Sequence, residues 1–407
     1  MNKCIWYITK YLALPSDGSP GGRSFLVMKA LASLGNRCVL IGSDSNTLCA
    51  MPKFTGSSYN AKFDGMQVVL LKTFKYRVAK SFRRILSWLH FEWKLLTYSK
   101  SELPKPDVVI ISSLSLLTIL NGFILKFRYK CKLVFEIRDI WPLTLTEDGG
   151  YSKYNFLVYF LSLVEKYGYR YADIIVGTMP NLGEHVENIL GFPKPVYCIP
   201  MGVPEDALRN IIPLSVEYRQ KYIPNDKFIV GYAGTLGITN ALDILFQCAE
   251  KMQDNTQVCF LVVGNGDLRD GYMSRYRYLP NIIFAPAVEK YAVQSVLAEC
   301  DLLYLSAFKS KIFDYGQSLN KLIDYMLSAK PILASYSGYP SMINEAGCGT
   351  FVPAEDSVFL EQEIIRYSKL SPQARSAIGA RGRDWLLENR QYYMLAEAYQ
   401  SIIFSSQ

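Results

Sequence analysis

Residues 313–333 read FDYGQSLNKLIDYMLSAKPIL. A polar start containing Gly316, Gln317, Ser318 and Asn320 passes into a run with the apolar spacing of a helix. Lys330 and Pro331 end that run, because proline cannot continue a helix, and a short apolar strand follows. Lys321 and Asp324 stand on the first turns, one turn apart on the same face. A solvated helix face would account for such a pair, and so would a bound ligand.

Working outward, apolar runs of strand length recur along the chain. CIWYIT, CVLIG, QVVLL, DVVIIS, KLVFEI, DIIVG and PVYCIP precede Gly202, and FIVGYAG, VCFLVVG, IIFAP, LLYLS and PILAS follow it. Stretches of helical period separate most of them, which is the pattern of parallel sheets covered by helices on both faces. A turn-rich break, IPMGVPEDALRN, falls near residues 200–212. The expected fold is therefore α/β, with two doubly wound Rossmann-like parallel-sheet domains facing a central cleft. Ligands of such sheets bind at the carboxyl ends of the strands. The apolar run 108–127 is long enough to span a bilayer, but its serines, Thr118 and Asn121 favour a strand followed by a helix from about Ser115.

Composition narrows the chemistry. The chain has 407 residues, half of them hydrophobic and a fifth charged, as in ordinary folded proteins. Nine scattered cysteines without a C-x-x-C pair argue against a disulfide framework or a cysteine zinc site. Two histidines cannot build a histidine metal centre, and D-x-D, the usual carboxylate clamp for a nucleotide-bound cation, is absent. No divalent metal or other cofactor is expected. The start, MNKCIWYITKYL, lacks the apolar core of a signal peptide. Residues 1–200 hold 25 lysines and arginines against 14 acidic residues, whereas the rest holds 19 against 22. A basic first half suggests an anionic partner.

Glycine turns follow three strands: Gly21 and Gly22 in SDGSPGGRSF, Gly234 and Gly237 in GYAGTLGITN, and Gly264 and Gly266 in VVGNGDLRDG. Bare backbone N–H groups at a helix start can hold an anion, although simple turn geometry explains any one of these. Walker and hydrolase-elbow motifs are absent. In EIRDIWP, residues 136–142, Arg138 and Asp139 follow a strand, where a salt bridge or turn cap competes with a ligand-binding role.

Together PGG, EIRDIWP, YADIIVGTMPNLGEHV, IPMGV, GYAGTLG, VVGNGDL and YGQSLNKLIDYMLSAKPIL resemble the retaining GT-B glycosyltransferases of family 4, over essentially the whole chain. The pairing of IRDIWP with YGxSxNKLxDYM is similar to a bacterial subgroup that includes O-antigen N-acetyl-L-fucosamine transferases. The resemblance implies an acceptor-side domain over 1–202, a nucleotide-sugar domain over 203–385 and a C-terminal helix, 386–407, returning to the first domain. It implies a nucleotide-sugar donor, a UDP-sugar in the first instance, and a lipid-linked saccharide acceptor. In the family two glutamates with seven residues between them contact the donor sugar and the ribose; here Asp324 holds the second position and Gly316, eight residues earlier, the first, so the first acid is missing. The family's basic pair is also absent, with Thr235, Thr239 and Asn240 in its place. The implied donor site comprises Gly21, Gly22, Gly234, Thr235, Gly264, Gly316, Ser318, Asn320, Lys321 and Asp324. Lys321 would meet phosphate and Asp324 ribose. Asp139, Arg138 and Lys321 are the candidate catalytic residues. A nucleotide-sugar 2-epimerase and an inactive homologue serving as an assembly subunit are the alternatives.

Residues 72–100 carry eight Lys and Arg against one Glu, with apolar residues at helical spacing. The segment reads as a core helix with a solvated face, or as an interfacial helix presenting Arg77, Lys80, Arg83, Arg84 and Trp93 to an anionic membrane surface. No nucleic-acid module accompanies the charge. The expectation is a cytoplasmic protein, peripheral on the inner face of the bacterial inner membrane.

Overall fold

The computed structural model describes residues 3–16, 19–46, 49, 51–76 and 82–405. Arg77 and Lys80 lie outside the described residues. The chain divides into two compact units, Met1–Pro204 with Tyr392–Gln407, and Glu205–Gln391.

The first unit holds an eight-stranded sheet: β1 (Cys4–Ile8), β2 (Arg37–Ser43), β3 (Ser58–Phe63), β4 (Met66–Leu71), β5 (Val108–Ser112), β6 (Lys132–Ile137), β7 (Ile174–Gly177) and β8 (Val196–Cys198). Their order is β3-β4-β2-β1-β5-β6-β7-β8. Its helices are α1 (Arg23–Ser33), α2 (Phe82–Thr97), α3 (Thr118–Tyr129), α4 (Leu143–Glu147), α5 (Phe156–Tyr171) and α6 (Leu182–Leu190). The second unit holds α7 (Val216–Tyr222), β9 (Phe228–Ala233), α8 (Asp243–Lys251), β10 (Val258–Val263), α9 (Arg269–Tyr276), β11 (Ile282–Ala285), α10 (Val293–Ala298), β12 (Leu302–Ser306), α11 (Asn320–Leu327), β13 (Ile332–Ser335), α12 (Met342–Ala346), β14 (Gly349–Val352), α13 (Ser357–Lys369) and α14 (Pro372–Asn389). Its six strands run β11-β10-β9-β12-β13-β14, all parallel. The last helix, α15 (Tyr392–Phe404), packs against α1 in the first unit.

Both sheets are doubly wound, as the alternating pattern requires. Two strands escape the pattern. β3 alternates half-buried and exposed residues at a sheet edge and pairs antiparallel with β4, through a turn in which Asp64 and Gly65 both have positive φ. That is hairpin chemistry rather than a buried apolar run. β14 is four residues long and sits at the other sheet's edge. The apolar run 108–127 resolves into β5 and α3, with the helix beginning at Thr118 rather than Ser115. No helix among the described residues is long and apolar enough to cross a membrane.

The first unit is organised around a buried ion pair. Arg23, at the start of α1, donates to Glu136 of β6 at 2.9 Å, and neither side chain has any exposed surface. The guanidinium also donates to the carbonyls of Ile199 (2.7 Å) and Pro200 (2.8 Å), and the Tyr7 hydroxyl of β1 donates to the second carboxylate oxygen. Tyr392 and Tyr399 of α15 are buried in the core that contains Tyr7 and Phe25. Glu136, the first residue of the EIRDIWP stretch, is thus consumed by the scaffold.

Removing one partner of a buried pair strands the other charge in an apolar interior. Glu136→Ala is therefore expected to cost about 3–5 kcal/mol of unfolding free energy. Lys29→Ala, which breaks the half-exposed Lys29–Asp64 pair, is expected to cost under about 1 kcal/mol. Urea unfolding of the two variants beside wild type measures the contrast.

Candidate active site

In the second unit, two strand ends and one helix start meet. The loop after β9 begins Gly234-Thr235-Leu236, and the loop after β10 reads Gly264-Asn265-Gly266. The loops are laced by backbone bonds: Gly234 N to Val263 O (3.0 Å), Leu236 N to Asn265 O (2.9 Å) and Leu268 N to Leu236 O (3.0 Å). A Cβ on Gly264 would stand 1.9 Å from the Gly234 carbonyl oxygen, and one on Gly266 would stand 2.3 Å from that of Leu236. These glycines exist so that one loop can lie against the other.

Lys321, on the first turn of α11, reaches into this junction. Its ammonium donates to the Tyr232 hydroxyl at 3.0 Å and to Asn240 Oδ1, and stands 4.7 Å over the Tyr232 ring. Tyr232 and Asn240 in turn donate to the Thr235 carbonyl at 2.7 and 2.8 Å. Lys321, Gly234, Thr235 and Asn240 are thus brought together. The partners of Lys321 among the described residues are neutral, and burial pulls its pKa down to about 8.

Asp324 goes elsewhere. Both of its carboxylate oxygens accept from Lys290, at 2.6 and 2.5 Å. Burial raises its pKa, and the Lys290 charge opposes that rise. Lys290 lies thirty-four residues away in sequence, so no local pattern could reveal this partner.

The approach to α11 carries the remaining candidates. Gly316 has φ +95°, Ser318 follows two residues later, and Asn320 is exposed at the first helical position. Leu319 provides no side-chain cap, so the first N–H groups of α11 have no side-chain acceptor there. Beside them Gln317 is buried at 7% exposure, and neither amide atom has a hydrogen-bond partner among the described residues. A buried unsatisfied amide is costly, which makes Gln317 a ligand-facing candidate that the sequence reading passed over. Its only signal was a polar residue next to a glycine before an amphipathic helix.

In the first unit the glycine turn differs from the expectation. Gly22 N donates to the Ala13 carbonyl (2.9 Å) and Gly21 N to Ser19 Oγ (3.3 Å), so both amides are already engaged. Arg138 and Asp139 leave the end of β6 in a turn pinned by Ser113. Its Oγ accepts from both backbone N–H groups (2.9 and 3.3 Å) and donates to the Asp139 carbonyl (3.0 Å). Asp139 keeps exposed surface, while desolvation by its packed surroundings holds its carboxyl above the ordinary carboxylate range, opposed by Arg138 and Arg84. Trp88, Tyr11 and Lys10 nearby were not anticipated. Trp88 of α2 meets Trp141 edge-on at 5.6 Å and donates to the Tyr11 hydroxyl at 2.7 Å. Arg84 stacks 5.1 Å over Trp88 and also donates to Tyr11, so it serves the inner side of α2, whereas Arg83 and Trp93 are exposed. Lys10 is wholly buried, 4.9 Å from the Tyr11 ring, and burial lowers its pKa to about 8. Among the described residues no group of three His, Cys, Asp or Glu side chains could hold a metal ion.

An anion bound at Lys321 would restore its charge. Because the free pKa, about 8, lies below the ordinary lysine value of 10.5, binding above pH 8 takes up a proton. A diphosphate is fully ionised by then. Affinity for a nucleoside diphosphate is therefore expected to fall as pH rises through 8 and beyond, and Lys321→Met to remove that dependence. Calorimetry in buffers of different ionisation enthalpy reads both the affinity and the proton count.

Residues 227–369, which contain both interlocked loops and α11, match the family described as Glycosyl transferases group 1. No curated protein matches the chain. Solved structures match it along its length at low identity. Sucrose-phosphate synthase from Thermosynechococcus elongatus is 15% identical, with all of both chains covered and a TM-score of 0.74. The E. coli trehalose-6-phosphate structure with UDP-2-fluoro glucose is 12% identical, with the same coverage and a TM-score of 0.74. WaaG, a glycosyltransferase involved in lipopolysaccharide biosynthesis, is 15% identical over 99% of this chain and all of its own, with a TM-score of 0.64.

Proposed function

We propose that this chain, a glycosyltransferase of GT-B type, transfers a sugar with retention from a UDP-sugar to a polyprenyl-diphosphate-linked saccharide. The observation that carries the reading is the head of α11. There a cation with neutral partners, a helix start without an N-cap side-chain bond and a buried amide without a partner among the described residues fall within five residues, 317–321. A nucleotide diphosphate supplies the missing negative charge and acceptors.

In this reading Lys321 and the α11 amides hold the diphosphate, Gln317 meets a donor polar group, and Asp324 exchanges part of its Lys290 pairing for the ribose hydroxyls. Stabilising the departing diphosphate is the main catalytic task, since in a front-face displacement the leaving phosphate takes the acceptor proton. Arg138 and Asp139 are assigned to the acceptor. The donor choice draws support from the solved relatives bound to UDP-2-fluoro glucose and, in the Anabaena HepE structure, UDP-glucose. The proposed sugar is N-acetyl-L-fucosamine or another N-acetylhexosamine, used in O-antigen or capsule assembly. WaaG's part in lipopolysaccharide biosynthesis supports that setting. We place the enzyme in the cytoplasm, peripheral on the inner face of the bacterial inner membrane, and working without a divalent metal.

Asp324→Ala is expected to weaken UDP binding by roughly 1.5–3 kcal/mol, the range for a hydrogen bond to a charged group. Titration of UDP, GDP and a panel of their sugars measures it, and unchanged affinity in a folded variant would remove Asp324 from the site. Turnover of the preferred nucleotide sugar is expected to persist in excess EDTA. Activity lost there and regained with magnesium or manganese would overturn the metal-free mechanism.

A further inference from the structure

The helices α2, α3 and α5 of the first unit are successive neighbours. Glu92 of α2 accepts from Thr118 (2.7 Å) and Asn121 (2.8 Å) of α3, and Phe123 of α3 meets Tyr167 of α5 edge-on at 4.9 Å. Each helix leaves a row of large apolar side chains in solvent. On α2 the row includes Leu89 and Trp93, the latter 63% exposed. On α3 it includes Ile124 and Phe127, the latter 89% exposed, and on α5 Phe156 and Leu163, the former 83% exposed. The spacings of three and four residues keep each row on one side of its helix. Apolar surface of this extent on adjoining helices marks a docking face.

The charge on the same helices is one-sided. Their sequences contain two carboxylates, Glu92 and Glu165; Glu165 is buried, and Glu92 is half-buried and bonded to α3. Glu92 is held by the α3 bonds above and by Ser115, and Glu165 by His185 (2.8 Å) and Tyr169 (3.0 Å). The outward charges include Arg83, Arg128, Lys166 and Arg170, all exposed. A second copy docking through the same face would set these cations against themselves. An anionic bilayer satisfies both features, since its headgroups pair with Lys and Arg while its acyl boundary takes the apolar and aromatic side chains.

We propose that the joint outer face of α2, α3 and α5 is a membrane-docking surface, held by apolar insertion as well as charge. This rests on the lipid-linked reading above and deepens it by naming the face of the first unit that meets the membrane. Its test is separable, because vesicle binding is read without donor or acceptor.

The experiment is co-sedimentation of the full chain with phosphatidylglycerol–phosphatidylcholine vesicles, at low and high salt, beside UDP titration and thermal melts. Wild type is expected to bind at low salt and to retain part of that binding at high salt. Brominated lipids are expected to quench Trp93 fluorescence, and Trp93→Phe to remove most of that quenching. Phe127→Ser/Phe156→Ser is expected to lower partitioning roughly tenfold or more at either salt, from lost apolar burial. Arg128→Glu/Arg170→Glu is expected to lower it mainly at low salt. UDP affinity and melting should stay at wild-type values in both. Wild type that ignores anionic vesicles, or variants that bind as wild type does, overturns the proposal. So does self-association, or capture of an acidic polypeptide, that Phe127→Ser/Phe156→Ser abolishes while vesicle binding persists.

Discussion

The Arg23–Glu136 pair is the constraint on which the first unit rests. Taking two charges wholly out of water is costly unless the geometry is good and further hydrogen bonds satisfy them. Here Tyr7 and the carbonyls of residues 199 and 200 complete the set. The pair therefore fixes, at one point, the start of α1, the ends of β1 and β6, and the segment leaving β8. Arg138 and Asp139 emerge two and three residues beyond Glu136, where Ser113 pins their backbone. The candidate carboxylate of Asp139 owes its position to a buried one that does no chemistry.

The second unit separates scaffold from ligand-facing groups differently. Gly264 and Gly266 let two loops lie backbone to backbone, which leaves the Gly234, Leu236 and Gly264 amides bonded to protein. The positive character comes from Lys321, fed into the junction from α11. The β9 loop itself brings no cation to the junction, and the Lys321 ammonium donates to Asn240 there. A cation delivered by a helix can sit over the same junction as one delivered by the loop. It is also desolvated against Tyr232, which lowers its pKa and leaves it sensitive to an arriving anion.

The same economy of charge shapes the outer helices of the first unit. Two carboxylates, each saturated by hydroxyl, amide or imidazole partners, leave the exposed side to cations and apolar residues. The polar bonds that join α2 to α3 and α5 to α6 also strip negative charge from the surface.

By itself the sequence determined the two doubly wound sheets, because a buried parallel strand must be apolar along its length and its crossover helix must carry a 3.6-residue period. It missed β3 and β14, which lie at sheet edges and need not be apolar on both faces. It also marked the head of α11, since Gly316, Lys321 and Asp324 follow local helix-start chemistry. It could not decide which way side chains turn. Glu136 and Asp139 are three residues apart in one motif, yet one is buried in an ion pair and the other keeps exposed surface. Lys321 and Asp324 share a helix face, yet one meets Tyr232 and the other Lys290. Those outcomes rest on partners 34 to 113 residues distant, brought close only by strand order and helix packing. Contacts of that range leave no periodic trace in the chain, which is why only the tertiary structure decided them.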